Sequence, residues 1–200
     1  MSETNKTVEE ILENLESFRL VSKLKAIPRS GKAARIDYFK LNLPKRSLYD
    51  HVISMIREAE VFAKYEKITK KEFEKVLELI CFHDIAETIA GDAPNFTKKS
   101  IAGHLFKTKK ENKMQVTKAN AQLAEMFSGE LKDRFSSALA LLDKPENKFT
   151  KFVRFIDKID PIIGIWQYIY LFKKEIDIEV FLKAMDDFFT NPKNVFIDEE

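Results

Sequence analysis

Residues 79–92 read Leu79-Ile80-Cys81-Phe82-His83-Asp84-Ile85-Ala86-Glu87-Thr88-Ile89-Ala90-Gly91-Asp92. Apolar side chains dominate this stretch, yet an imidazole and three carboxylates interrupt it. Glu87 follows His83 by four positions and Asp84 by three, which puts all three on one face of a continuous helix. Burying such groups is costly unless something pairs them, and a divalent cation pairs carboxylates and imidazoles directly. The helix is predicted to start at Thr69, where Thr69 and Glu72 have the spacing of a capping box. It continues through Phe73, Val76, Leu77 and Ile80 to about Ala90, and Gly91 suits a left-handed position past its end.

The same helical spacing extends outward on both sides. Thr7 and Glu10 open a helix to Lys25 with Val8, Ile11, Leu12, Leu15, Phe18 and Val21 on one face. Ser47 and Asp50 open another, striped by Leu48, Val52, Met55, Ile56, Ala59 and Phe62. Further helices are expected near 115–127, 130–143, 147–172 and 178–190, and Pro161 should kink or restart the segment that carries it. Residues 26–46 form a basic connection, and 92–112 a polar, Lys-rich loop with one short helix. No run alternates with period two, so the fold class expected is all-α: a bundle of six or seven helices in a single domain over residues 1–200.

Composition narrows the function. With 34 Lys and Arg against 32 Asp and Glu the net charge is +2, so no strong field steers the chain to nucleic acid or an anionic membrane. The lysines at 107, 109, 110 and 113 are therefore weak grounds for a nucleic-acid module, and no stacking motif accompanies them. A single Cys excludes an internal disulfide framework and a Cys-cluster zinc site. No apolar run approaches a membrane span, and the polar N-terminus is no secretory signal, so the expected setting is cytoplasmic. Trp166, Tyr168 and Tyr170 are open to two readings, as core or as the surface of a homodimer.

Three histidines are present. His51 lies on the apolar face of its helix one turn before Met55, where a core role is the commoner one for a lone His. His104 sits in the polar loop and reads as solvated surface. Asp157 stands inside Phe152-Val153-Arg154-Phe155-Ile156-Asp157-Lys158-Ile159 and needs a partner, either Arg154 or Lys158 as an ion pair or a metal.

The order H…HD…D, with its second motif written H-D-x-x-E-x-x-x-G-D, resembles the HD-domain metal-dependent phosphohydrolases. Within them it is most similar to the branch of bacterial 5′-deoxynucleotidases and their eukaryotic relatives. The resemblance spans about residues 24–170. It is supported by Ile27-Pro28-Arg29-Ser30-Gly31, by Arg46-Ser47-Leu48-Tyr49-Asp50-His51 and by the Asp157-Lys158 pair. It implies His51, His83, Asp84 and Asp157 as ligands of one divalent metal ion, drawn from Mn, Co, Mg, Zn, Fe and Ni. It implies Glu87 and Asp92 as catalytic carboxylates that orient water and move protons, and Arg29 as the phosphate-binding residue. Two imidazoles and two carboxylates suit a first-row transition metal, and a guanidinium fork matches phosphate oxygens. Two departures stand out: Ser30-Gly31-Lys32 where the family often has Trp, and Arg46 where it usually has Glu.

The activity implied is phosphate release from (deoxy)nucleoside 5′-monophosphates, with a small phosphorylated molecule as the partner. The alternatives are another phosphorylated metabolite (an alarmone, a cyclic nucleotide or a dNTP) and a non-catalytic, metal-holding helical scaffold. Glu87 and Asp92 argue against the scaffold, because a metal kept only for structure needs no further carboxylates beside it.

Overall fold

A computed structural model describes residues 19–27, 46–91 and 109–171, together with positions 179, 182, 186 and 190. The described residues are all-α. Residues 19–26 are helical and bury Leu20 and Leu24, one turn apart. Six helices follow: α1 (Leu48–Ala63), α2 (Lys70–His83), α3 (Glu87–Ala90), α4 (Lys109–Met126), α5 (Gly129–Leu142) and α6 (Lys148–Leu171).

The two capping boxes form as their spacing predicts. Ser47 Oγ accepts from the Asp50 amide at 3.1 Å, while Asp50 Oδ2 accepts from the Ser47 amide at 2.8 Å. Thr69 and Glu72 make the reciprocal pair at 3.3 and 2.9 Å. Each box satisfies two amides that a helix start otherwise leaves open. Glu72 also ties two helices together, since its other carboxylate oxygen accepts from Lys148 Nζ at 2.7 Å and so joins the first turns of α2 and α6. Lys148 and the Thr69 backbone together hold the Glu72 carboxyl down at about 2.

α2 is the central element, packed against α1, α5 and α6. Its Val76, Leu79 and Ile80 are fully buried, meeting a core that includes Met55, Leu123, Phe135, Phe152 and Ile156. Phe135 takes Phe82 and Phe127 edge-on, with ring centroids 5.4 and 5.1 Å away. Between α1 and α6, Phe62 meets Phe155 edge-on at 5.3 Å. These contacts fix the spacing of α1, α2 and α6, the helices that carry the buried imidazole and its acidic neighbours.

One expectation is corrected here. The helix from Thr69 does not run to Ala90: it ends at His83, Asp84 caps it with φ −112° and ψ 7°, and a turn leads into the four-residue α3. α6, by contrast, passes through Pro161 without restarting. Proline removes one i→i−4 hydrogen bond, but the buried Ile156, Ile159 and Ile162 hold the helix to the core on both sides of it. Gly91 has φ 75°, as its place past a helix end requires, and its N–H reaches the Glu87 carbonyl at 2.8 Å. Trp166 and Tyr170 are exposed on the last turns of α6 rather than buried in the core. No described helix is long and apolar enough to cross a membrane. The expected helix over residues 7–18 and the loop over 92–108 lie outside the described residues.

Replacing Thr69 with Ala removes one capping hydrogen bond while leaving the apolar face of α2 intact. Stability should fall by about 1 kcal/mol in urea denaturation at unchanged m-value.

Candidate metal centre

The side chains of His51, His83, Asp84 and Asp157 converge, with one ligand atom from each lying within 4.8 Å of all the others. They come from three helices: His51 from α1, His83 and its neighbour Asp84 from the end of α2, and Asp157 from α6. His51 Nε2 lies 3.3 Å from Asp157 Oδ1, 3.4 Å from Asp84 Oδ2 and 3.4 Å from His83 Nε2. His83 Nε2 lies 3.2 Å from Asp84 Oδ2. The His51 ring is fully buried, and Asp84 and Asp157 are partly open to solvent.

The break after His83 makes this convergence geometrically simple. On a regular helix, adjacent side chains diverge by about 100° and do not face each other. At residue 84 the chain leaves helical geometry, and the carboxylate of Asp84 turns back toward the ring of the residue before it. The helix end also contributes directly: the negative end of the α2 dipole favours positive charge in its last turn.

Both imidazoles have their far nitrogen engaged. His51 Nδ1 lies 2.6 Å from Asp160 Oδ2, and Asp160 is an ionised, buried acceptor whose partners hold its carboxyl down to about 2 against the opposing effect of burial. His83 Nδ1 lies 2.6 Å from the Ile80 carbonyl, which can only accept. Each ring therefore carries its proton on Nδ1, and a neutral imidazole then offers Nε2 as an electron-pair donor. Two such nitrogens and two carboxylates point at one another. Burial works against a charged His83, but Asp84 and Asp157 outweigh it and raise its pKa. The field at this point thus favours a cation, and the donor set fits a divalent metal.

Sequence reasoning names all four of these residues and misses those that support them. Asp160 stands three residues after Asp157 on α6, and the two carboxylates face the two nitrogens of one His51 ring, Asp160 at Nδ1 and Asp157 at Nε2. Its signal in the sequence is a second acid one turn along an apolar helix. Arg46, which the sequence marks only as a departure, is bound to Asp160 by both terminal nitrogens. Of the two cations considered as partners of Asp157, Arg154 donates instead to the Leu142 carbonyl. Glu87 opens α3, with its amide donating to the Asp84 carbonyl at 2.9 Å. Its expected place on one continuous helical face with His83 and Asp84 is lost with the helix break. Asp92 and Arg29 lie outside the described residues.

Glu58, two turns beyond His51 on α1, is a buried carboxyl that accepts from Ser54 Oγ at 2.9 Å. Burial, and after it the charge of Asp160, pushes its pKa from 4.5 up to about 8. Between those values the unfolded chain gives up a proton that the folded protein keeps, so stability falls as pH rises through this window. Glu58→Gln removes that dependence. Its melting temperature should drop less than that of the wild type between about pH 5 and pH 8, as read by circular dichroism; equal drops would show Glu58 ionised throughout.

Residues 21–192 match the family model described as HD domain. No curated protein matches the sequence. With that match covering most of its length, and with the His and Asp cluster assembled at the junction of three of its helices, the chain belongs to the HD-domain family, which implies a metal-dependent phosphohydrolase.

Proposed function

We propose that this protein is a phosphomonoesterase that releases inorganic phosphate from nucleoside or deoxynucleoside 5′-monophosphates. The observation that carries the reading is the convergence of His51, His83, Asp84 and Asp157 as four electron-pair donors on one point. A divalent ion held there supplies Lewis acidity, which lowers the pKa of water and offsets charge on a phosphoryl group. The chain's own residues do the rest. His51 and Asp157 approach from α1 and α6, His83 and Asp84 from the end of α2, so the centre is anchored by three packed helices. Asp84 and Asp157 keep partial solvent exposure, which leaves a small anionic substrate a side from which to enter.

Glu87 begins the turn of helix that follows Asp84, and we assign it the proton-transfer role: its carboxylate takes a proton from the attacking water as the P–O bond to the nucleoside breaks. Asp92 passes a proton to the leaving 5′-oxygen, so that the nucleoside departs as the alcohol, and Arg29 binds the phosphate through its guanidinium fork. The support for these three roles is the resemblance of the H-D-x-x-E-x-x-x-G-D motif and of the Arg29 segment, together with the position of Glu87 beside the cluster in the chain.

The test is phosphate release from a panel of ribo- and deoxyribonucleoside 5′-monophosphates after chelation and refilling with Mn²⁺, Co²⁺, Mg²⁺ or Zn²⁺. The wild type should turn over with at least one ion, and Asp84→Ala should lose both metal and activity. Glu87→Ala should keep the metal and lose turnover by roughly a hundredfold or more, the usual contribution of a general acid–base group. A fully active Glu87→Ala would remove that residue from the mechanism. A metal-loaded protein that releases no phosphate from any monophosphate would overturn the nucleotidase reading and direct the search to other phosphorylated metabolites.

A further inference from the structure

Beneath the metal centre lies a second, fully formed polar assembly. Asp160 is 1% exposed, and an ionised carboxylate buried so deeply is costly unless its partners are well placed. They are. Oδ1 accepts from Arg46 Nη2 at 2.7 Å; Oδ2 accepts from Arg46 Nη1 at 3.2 Å and meets His51 Nδ1 at 2.6 Å. A two-pronged guanidinium fixes the plane of a carboxylate as well as its position. Arg46 is itself held: Nη2 reaches the Asp50 carbonyl at 3.4 Å, and the guanidinium lies against Gly164, one turn beyond Asp160 on α6. A Cβ built on Gly164 would fall inside contact distance of Nη1, so the fork occupies space that only a glycine leaves. Arg46, two residues before α1, is thereby clamped to α6 across 114 positions of sequence, and the clamp closes on the back of the His51 ring.

We propose that Arg46 and Asp160 are a positioning pair for His51: Asp160 sets the ring's tautomer, Arg46 sets Asp160, and together they present Nε2 to the cluster as an electron-pair donor. Neither residue touches the point where the four donor atoms converge; they act through the imidazole. The pair belongs to the reading of that cluster as a metal site, and it makes a statement about His51 that holds with or without an ion bound. Without the carboxylate, the ring is free to move its proton to Nε2 or to rotate, and the donor set is incomplete. Without the guanidinium, Asp160 keeps its bond to His51 but loses the fork that fixes its plane.

The test uses the full chain, with Zn²⁺ as the probe, competed against a chelating dye, and ¹⁵N shifts of the His51 ring in the metal-free protein at alkaline pH. Wild-type His51 should carry its proton on Nδ1. Asp160→Asn should give a mixture of tautomers and bind Zn²⁺ roughly ten- to a hundredfold more weakly, as loss of such a supporting partner does. Arg46→Ala should fall in the same direction, and Arg46→Lys should recover part of the loss. Gly164→Ala keeps both polar side chains and displaces the fork, so it too should weaken Zn²⁺ binding; it carries the test if Asp160→Asn does not fold. The proposal is overturned if wild-type His51 is protonated on Nε2, or if these variants keep the Nδ1 tautomer and bind Zn²⁺ within about twofold of wild type, well short of the usual loss. A wild type that binds no Zn²⁺ while the tautomer shifts only in the variants would remove the metal reading and support the positioning pair.

Discussion

Four electron-pair donors that face one another repel, and the structure around them is organised to hold them there. The two Nδ1 positions are taken up by an ionised carboxylate and a main-chain carbonyl, so neither ring offers a proton toward the cluster in its neutral form. A cation bound between them would offset the cost of bringing Asp84 and Asp157 up to those rings, and the packing of α1, α2 and α6 sets where it would sit. This constraint explains features that look unrelated in the chain: an apolar helix carrying acids, a helix that stops in the middle of an apolar stretch, and an arginine close to a histidine that must stay neutral.

The helices contribute in different ways. α2 supplies adjacent ligands only because it ends between them, and the apolar anchors Val76, Leu79 and Ile80 keep that end in register with the core. α6 supplies its two acids from consecutive turns of an unbroken helix, so their separation suits the two nitrogens of one imidazole. α1 contributes the ring that lies between them, and the Ser47–Asp50 box fixes where that helix begins. Lys148 and Glu72, away from the cluster, pin the first turns of α2 and α6 to each other. Fold and site thus share their supports.

Much of this is legible in the sequence because it follows from local chemistry. The capping boxes at Ser47 and Thr69 are readable from residue type and spacing, and both form. The periodic apolar stripes of α1 and α2 are readable for the same reason. The four clustered residues emerge from the resemblance of a short motif, supported by the cost of burying acids in apolar segments. What cannot be read depends on three-dimensional neighbours. A 3.6-residue period cannot reveal that a helix ends between His83 and Asp84, since the apolar pattern continues into Ile85, Ala86 and Ile89. Asp160 follows an Asp-Lys pair that draws attention to Asp157, and Arg46 reads as a change of charge rather than as a partner for a residue 114 positions away. Glu58 falls on the buried face of α1 among hydrophobic residues; its neighbour Ser54, four positions earlier, is readable from helical spacing, but the charge of Asp160 that helps raise its pKa is not. For Asp160, Arg46 and the environment of Glu58 the missing information is which helix lies opposite.

The arrangement of α1, α2 and α6 makes sense only if one divalent ion is held jointly by residues of all three. Anomalous diffraction from crystals of the protein grown with Mn²⁺ or Co²⁺ tests it most directly. A single strong peak is expected, bounded by His51 Nε2, His83 Nε2 and the carboxylates of Asp84 and Asp157, with the Nδ1 atoms still on Asp160 and the Ile80 carbonyl. A peak elsewhere, or none at this point with the ion in excess, would contradict it.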